Sequence, residues 1–443
     1  MPRKTRYVQV GVGGRSVMFT DAMLKDFKST CELAGLCDSN PGRLALRNRY
    51  IADTFGLPAV PTYGAAEFDR MVREQKPDVV IVTTRDCFHD TYIIRAMELG
   101  CDVVTEKPMT TDERKCQKIV DTARRTGRHV RVTFNYRYSP PRTQVKDLLM
   151  KGLIGRVLSV DFQWMLNTSH GADYFRRWHR ERINSGGLMV HKATHHFDLV
   201  NWWLSAKPVE VFAMGGRLFY GDQTGMAEQL GLRGHAERCL TCRVAKKCPF
   251  RLDLRARPGM KAMFLDCEHH DGYFRDRCVF GKAMDIEDNM NVVVRYNTGA
   301  MMSYSLNAFL PWEGYRISFN GTRGRLEHDC VESVYISGDG RVQGETIPQG
   351  THIRHYPHFK PARTIPVWTA KGGHGGGDKP LLVDVFSLRP PKDPYLRAAD
   401  HASGALSILT GIAANKSMRT GKTVRIEALV KNIPPVKMTV MKD

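Results

Sequence analysis

Tyr7-Val8-Gln9-Val10-Gly11-Val12-Gly13-Gly14-Arg15-Ser16 is a short apolar run that ends in a glycine-rich turn. An apolar run bounded by glycine reads as a buried strand. Gly11, Gly13 and Ser16 take the three places of a G-x-G-x-x-G turn between strand and helix. Gly11 permits a tight turn, Gly13 lets a pyrophosphate approach the backbone, and Ser16 is small enough to keep helix and strand close. Amides at the helix start, Gly14 and Arg15 among them, would then hold the anion. An ordinary β–α loop can look the same, so the weight of the motif lies in what surrounds it.

A second strand, Cys31–Cys37, ends at Asp38, 22 residues beyond Ser16. That is close to the spacing at which a carboxylate reads the ribose hydroxyls and repels a 2′-phosphate, which favours NAD. Ser39 and Arg43 could hold such a phosphate and keep NADP open. The alternation then continues. Helical patterns at Ala65–Glu74, Asp90–Leu99 and Asp112–Arg125 separate strand patterns at Asp78–Thr84, Cys101–Thr105 and His129–Phe134. Alternating strands and helices predict a doubly wound parallel sheet, a Rossmann domain over about 1–138. Ligands bind beyond the carboxyl ends of such strands. Gly11–Ser16, Asp38, Thr83-Thr84, Glu106-Lys107-Pro108 and Asn135-Tyr136 all stand at those ends.

These residues resemble the glucose–fructose oxidoreductase/inositol dehydrogenase/MocA (Gfo/Idh/MocA) family. Gly11-Val12-Gly13-Gly14-Arg15, Thr83-Thr84 with His89 after it, and above all Glu106-Lys107-Pro108 carry the resemblance. It implies an NAD(P)-dependent oxidoreductase whose lysine, here Lys107, points between nicotinamide and substrate. An ammonium there can orient a reacting hydroxyl and stabilise a developing alkoxide. The cofactor residues so implied are Gly11, Gly13, Gly14, Arg15, Ser16, Asp38, Ser39, Arg43, Thr83, Thr84, His89, Glu106, Lys107 and Asn135.

Beyond residue 139 the pattern changes. Arg156–Trp164, Val209–Phe212, Asn291–Tyr296, Ala300–Asn307, Tyr315–Phe319, Gly324–Glu327 and Ser333–Ile336 read as strands. Asn297-Thr298-Gly299, Asn320-Gly321-Thr322 and Gly338-Asp339-Gly340 supply hairpin turns, so this sheet is expected to be largely antiparallel. The resemblance implies an open-faced sheet in an α/β domain over 139–443, its free face serving a homo-oligomer, dimer or tetramer. Asp400–Arg419 reads as a helix returning to the cofactor domain. Lys371–Asp378 is a glycine-rich loop ahead of a helix, with Asp378 as its N-cap.

The stretch Gly186–Leu204 reads as one helix that places His191, His195 and Asp198 at i, i+4 and i+7 on one face. The family's helix usually carries Asp, then His, then Asp at these three places. The resemblance thus implies that His195 is the general base and leaves His191 where a carboxylate usually stands. His191 and Tyr136 are then candidates for a second acid–base role. Lys192, Asp198, His196, Arg137 and, in the preceding loop, Trp178 and His179 are candidate substrate contacts. The implied reaction is hydride transfer between NAD and a secondary hydroxyl of a sugar, glycoside or cyclic polyol, for example at C3 of a glycoside. A redox-neutral glycosidase working by oxidation, elimination, hydration and reduction is the alternative. A non-catalytic NAD-binding sensor is the competing class, and Lys107 together with His195 argues against it.

An insertion at 222–288 carries Cys239-x2-Cys242-x5-Cys248 and Cys278, metal-knuckle spacing for a structural zinc. Cys267 or a histidine could replace the last ligand, an iron–sulfur cluster is the alternative, and free thiols are the plain reading. The 443-residue length implies two domains. The net charge of +20 is scattered over the chain without a nucleic-acid-binding signature, so it reads as solvated surface, with an anionic sugar left open. No apolar run approaches a membrane span, and Met1–Arg6 leads into a strand with no secretory h-region, so a cytoplasmic location is expected.

Overall fold

The computed structural model describes residues 3–334, 350–370 and 372–443. Strands β1 (Thr5–Val10), β2 (Cys31–Asp38), β3 (Thr62–Gly64), β4 (Val79–Val82), β5 (Asp102–Thr105) and β6 (Val130–Val132) form a parallel sheet in the order β6-β5-β4-β1-β2-β3. The central residues of these strands, such as Val8, Leu36, Val80 and Val103, are buried because helices cover both faces, as a parallel sheet requires.

The second sheet holds β7 (Val157–Asn167), β8 (Pro208–Gly216), β9 (Asn289–Tyr296), β10 (Met301–Leu310), β11 (Trp312–Gly321), β12 (Gly324–Val334), β13 (Gly350–Pro357) and β14 (Arg363–Ile365). A two-residue strand β15 (Ala399–Asp400) leaves it and pairs antiparallel with β6 of the first sheet. The last strand, β16 (Val424–Arg425), closes the second sheet's edge in the order β14-β13-β12-β11-β7-β10-β9-β8-β16. Among the described strands of this sheet only β7 and β10 pair in parallel. One face packs on helices. The other is open, with Met214, Val293 and Met301 exposed. The expected hairpin at 333–340 falls largely outside the described residues; residues 333–334 end β12.

The segment 186–204 departs from the expected single helix. Gly186 and Gly187 both take positive φ, and the chain then forms Leu188–His191 and, after a break at Lys192, Ala193–Leu204. Every residue of Ala193–Leu204 is buried, because helices Pro140–Met150 and His401–Thr420 and the second sheet surround it. Its polar side chains therefore need partners inside the protein. Thr194 pairs with Ser407, His196 Nδ1 lies 2.6 Å from the Tyr304 hydroxyl, and Asp198 meets Arg137. The three residues expected on one face point to three different places: His191 to Asp86, His195 to Tyr136 and Asp198 to Arg137. Helix His401–Thr420 lies between the sheets, touching β8, Ala193–Leu204 and β6.

Candidate active site

The glycine turn stands where the sequence places it. Gly11 has φ +85, and a Cβ there would meet the Thr83 carbonyl oxygen at 2.6 Å, so the turn is wedged against the end of β4. Cβ atoms at Gly13 and Gly14 would meet nothing within 4 Å, which leaves bare backbone facing open space at the carboxyl edge. Asp38 ends β2 and anchors the turn: the Val12 amide donates to its Oδ2 at 2.7 Å and the Asn40 amide to its Oδ1 at 2.8 Å. A carboxylate with two amides bound keeps lone pairs for two ribose hydroxyls. The Ser16 hydroxyl donates to the Gly13 carbonyl at 2.6 Å, inside the turn. These residues fit a dinucleotide, and the pyrophosphate would lie over Gly13 and Gly14.

The other cofactor candidates divide. Arg15 bridges Glu106 at 2.8 Å and Asp378 at 3.8 Å, tying the turn to the lysine motif and to the C-terminal loop. His89 is buried between the Pro108 and Thr84 carbonyl oxygens, at 2.7 and 3.2 Å, and joins the ends of β5 and β4. Asn135 donates to Asp378 at 2.7 Å. Asp378 is the first residue of helix Asp378–Phe386 rather than its cap, which is Gly377. A Cβ on Gly377 would meet the Asn135 carbonyl oxygen at 2.3 Å, so this loop sits directly on the end of the nucleotide domain. Ser39 is exposed beside Asp38.

Arg43 is taken by the insertion. Its Nη1 lies 2.7 Å from Asp271 Oδ2, its Nε donates to the Met263 carbonyl, and its guanidinium stands 5.7 Å from the Tyr273 ring centre. Asn40 donates to the Cys267 carbonyl at 3.0 Å. The segment 261–273 therefore crosses the ribose end of the cleft. A 2′-phosphate there would meet the carboxylates of Asp38 and Asp271, with Arg43 already engaged. Asp271→Ala is expected to raise affinity for NADP relative to NAD by about tenfold, one charge contact's worth, measured by fluorescence titration with both nucleotides.

Lys107 and the histidines meet at the centre. Lys107 Nζ donates to the His191 carbonyl at 3.3 Å. Burial lowers the Lys107 pKa to about 8, opposed by Asp86 and Glu106. His191 Nδ1 lies 2.5 Å from Asp86 Oδ2, a buried contact across the two domains. His195 stacks on Tyr136 at 4.3 Å, and its Nδ1 is buried with no partner. Burial, with Lys107 and Lys192 nearby, holds His195 well below the usual imidazole range. Tyr136 is itself pushed well above the usual phenol range by burial and stays a donor.

A cavity of about 490 Å³ opens from Tyr136 and Lys192, lined also by His170, Glu313, Arg142 and His374. Lys192 is buried, with Nζ 3.5 Å from the Tyr136 hydroxyl and 3.9 Å from Glu313. Burial pushes the Glu313 carboxyl up, but His170 at 2.7 Å and Lys192 outweigh it and hold it below the usual range. A second cavity shares His170, Glu313 and Glu332 with the first.

Other candidates face inward. Arg137 donates two hydrogen bonds to Asp198, at 2.7 and 2.6 Å, with both side chains almost fully buried. His196 stacks on Trp164 at 3.8 Å in the core. Trp178 stacks on His179, whose ring stands 4.1 Å from His191. Asp86 and Glu313 are site residues that the motifs in the sequence do not point to directly. Asp86 had a signal, an acid just past the end of β4, on the edge where ligands bind. Glu313 had none, because nothing in a hairpin strand announces which way an acid will point.

The expected metal centre is not carried by the structure. Among the described residues no group of three or more His, Cys, Asp or Glu side chains is arranged to hold an ion. Cys239, Cys242, Cys248 and Cys278 are free thiols, and burial pushes Cys278 up to about 11. Neither zinc nor an iron–sulfur cluster is therefore assigned. Ion pairs order the insertion instead: Arg238 bridges Glu268 and buried Asp276, each at 2.8 Å, and Asp276 accepts the Leu240 amide. Among the described residues no helix is long and apolar enough to cross a membrane.

Comparison with known proteins agrees with this arrangement. Residues 5–134 match a family model described as "Oxidoreductase family, NAD-binding Rossmann fold", and 146–426 match its "C-terminal alpha/beta domain". YteT of Bacillus subtilis, named an oxidoreductase, is 39% identical over 423 residues, 93% of this chain and 95% of its own. The D-glucoside 3-dehydrogenase of Escherichia coli is 29% identical over 183 residues, 41% of this chain and 49% of its own. The crystal structure of the WlbA dehydrogenase of Bordetella pertussis, in complex with NADH and UDP-GlcNAcA, superposes with a TM-score of 0.61 at 18% identity, covering 96% of this chain and 99% of that one. The glycine turn, the Lys107 motif and the open antiparallel sheet thus belong together, and the chain is a member of the Gfo/Idh/MocA family of NAD(P)-dependent oxidoreductases.

Proposed function

We propose that the protein oxidises a secondary hydroxyl of a sugar, glycoside or cyclic polyol with NAD, a glycoside 3-dehydrogenase activity being the form favoured. The observation that carries this is Lys107, a half-buried lysine held against the His191 carbonyl at the carboxyl edge of the nucleotide sheet. Bound nicotinamide would supply the hydride acceptor. Lys107, as ammonium, would orient the hydroxyl and stabilise the developing alkoxide. An imidazole of the pair His191 and His195 would accept the hydroxyl proton. Tyr136 and Lys192 would bind neighbouring hydroxyls, with Glu313 fixing Lys192. The similarity to a D-glucoside 3-dehydrogenase supports the substrate class.

A redox-neutral glycosidase is the second reading, and the insertion favours it. A strap from Asn40 and Arg43 to Cys267 and Asp271 would retain the nucleotide through a cycle that returns its hydride. The exposed apolar residues of the open sheet, Met214, Val293 and Met301, support a homo-oligomer.

Incubation with a panel of aryl and methyl glycosides and inositols, with and without added NAD, tests both readings. NADH formed in step with substrate loss is the expected result. Aglycone released without net NADH selects the glycosidase. Bound NAD with no turnover of any panel member overturns the proposed substrate class.

A further inference from the structure

We propose that Asp86 and His191 form the proton-accepting pair of this site: His191 Nε2 takes the hydroxyl proton, and Asp86 is the positioning residue that holds Nδ1–H. The proposal rests on the hydroxyl-oxidising reading above and assigns the base within it. It also moves that role one turn away from His195.

Segment 188–204 carries three buried histidines, and only His191 has a carboxylate partner among the described residues, Asp86 Oδ2 at 2.5 Å. A base that becomes an imidazolium in a buried site needs an anion or acceptor on its other nitrogen. His195 has none, since its Nδ1 is buried without a partner and its ring lies flat on Tyr136. His196 is in the core, its Nδ1 at the Tyr304 hydroxyl. With an ionised Asp86, Nδ1 of His191 must carry the proton. Its Nε2 lone pair is then left for substrate, and that atom makes no hydrogen bond among the described residues. The pair sits beside the reacting cation, because Lys107 Nζ binds the carbonyl of the same residue.

The break at Lys192 is what allows this. Had 186–204 run as one helix, His191 would share a face with His195. Instead the short helix Leu188–His191 turns the imidazole toward the loop after β4, where Asp86 begins the turn Asp86–Phe88. Each domain supplies half of the pair, so domain packing assembles the base.

With bound NAD as the two-electron oxidant the reaction balances: the substrate's O–H proton would pass to His191 Nε2, and the carbon bearing that oxygen would lose its C–H hydrogen as hydride to NAD, leaving a ketone. The charged and titratable groups facing His191 are Asp86, Lys107, Arg177, His179, Lys192 and Tyr174. Burial, with Glu106 nearby, holds the Asp86 carboxyl well above the usual carboxylate range, against the opposing pull of Lys107 and Arg177. Burial, with Lys107, His179 and Arg177, keeps His191 well below the usual range, so it is neutral at rest and free to accept a proton.

The test uses the full-length protein with NAD. Asp86→Asn is expected to lower kcat/KM by about 10²–10⁴-fold for the best panel substrate, with NAD affinity kept and partial rescue by Asp86→Glu. His195→Gln is expected to cost far less. Asp86→Asn with near wild-type kcat/KM, together with collapse in His195→Gln, overturns the assignment. A second readout does not depend on turnover: NMR of histidine-labelled protein should show a strongly downfield Nδ1–H of His191 that vanishes in Asp86→Asn. Its absence from the wild type also overturns the pair. If no panel compound is oxidised, the activity reading fails, and the NMR result still decides whether the pair exists.

Discussion

Replacing Lys107 by methionine is expected to lower kcat/KM by about 10²–10³-fold or more, the cost of removing one preorganised charge from a developing oxyanion. The nucleotide should still bind, because the glycine turn and Asp38 do not depend on Lys107. Titration of NAD by fluorescence, beside steady-state kinetics, separates the two effects. Unchanged kinetics would place the chemistry elsewhere. The pH profile adds a sign. Burial lowers the Lys107 pKa to about 8, so the cation is present below that pH and lost above it. A reaction that needs the cation should therefore lose kcat/KM as pH rises through about 8. Lys107→Arg keeps its charge at every pH, so its remaining activity should lack that limb.

The second large effect is on stability. Asp198→Ala leaves the Arg137 guanidinium buried and unpaired, which typically costs about 3–5 kcal/mol. Thermal and urea unfolding should show an earlier transition in the part of the molecule that holds helix Ala193–Leu204. The double variant Arg137→Met with Asp198→Leu should recover much of the loss, since a buried ion pair replaced by well-packed apolar groups is often neutral. If Asp198→Ala unfolds like the wild type but fails to turn over substrate, Asp198 faces the substrate and not Arg137.

These two residues show how legibility divided. The nucleotide half could be read from local signals. A strand–glycine turn–helix, an acid at the next strand end and Glu106-Lys107-Pro108 are short motifs whose meaning depends on backbone conformation nearby. Hairpin turns such as Asn297-Thr298-Gly299 likewise announced the antiparallel sheet. Gly186–Leu204 reads from its pattern as one helical segment rich in functional groups, and the structure divides it into two helices. Positive φ at Gly186 and Gly187 and the turn at Lys192 re-aim His191 by an amount that residue spacing does not encode. The cysteine spacing in the insertion is suggestive, yet the Cys267 thiol turns to the Ala262 carbonyl and Arg238, Glu268 and Asp276 order the segment with ion pairs.

Local motifs in the chain set the class of protein: a dinucleotide turn, a lysine at a strand end, and a histidine-bearing helix leading into an open sheet. Each is a local feature, set by side-chain periodicity and by glycine's freedom at single positions. Which histidine has a carboxylate, which charges cancel inside the core and what lies across the ribose end of the cleft follow from long-range packing alone. Asp86 and His191 are 105 residues apart, Arg137 and Asp198 61, and Arg43 and Asp271 228. Such pairs are chosen by how the two domains and the insertion pack, because a buried charge must find its partner wherever the fold brings one.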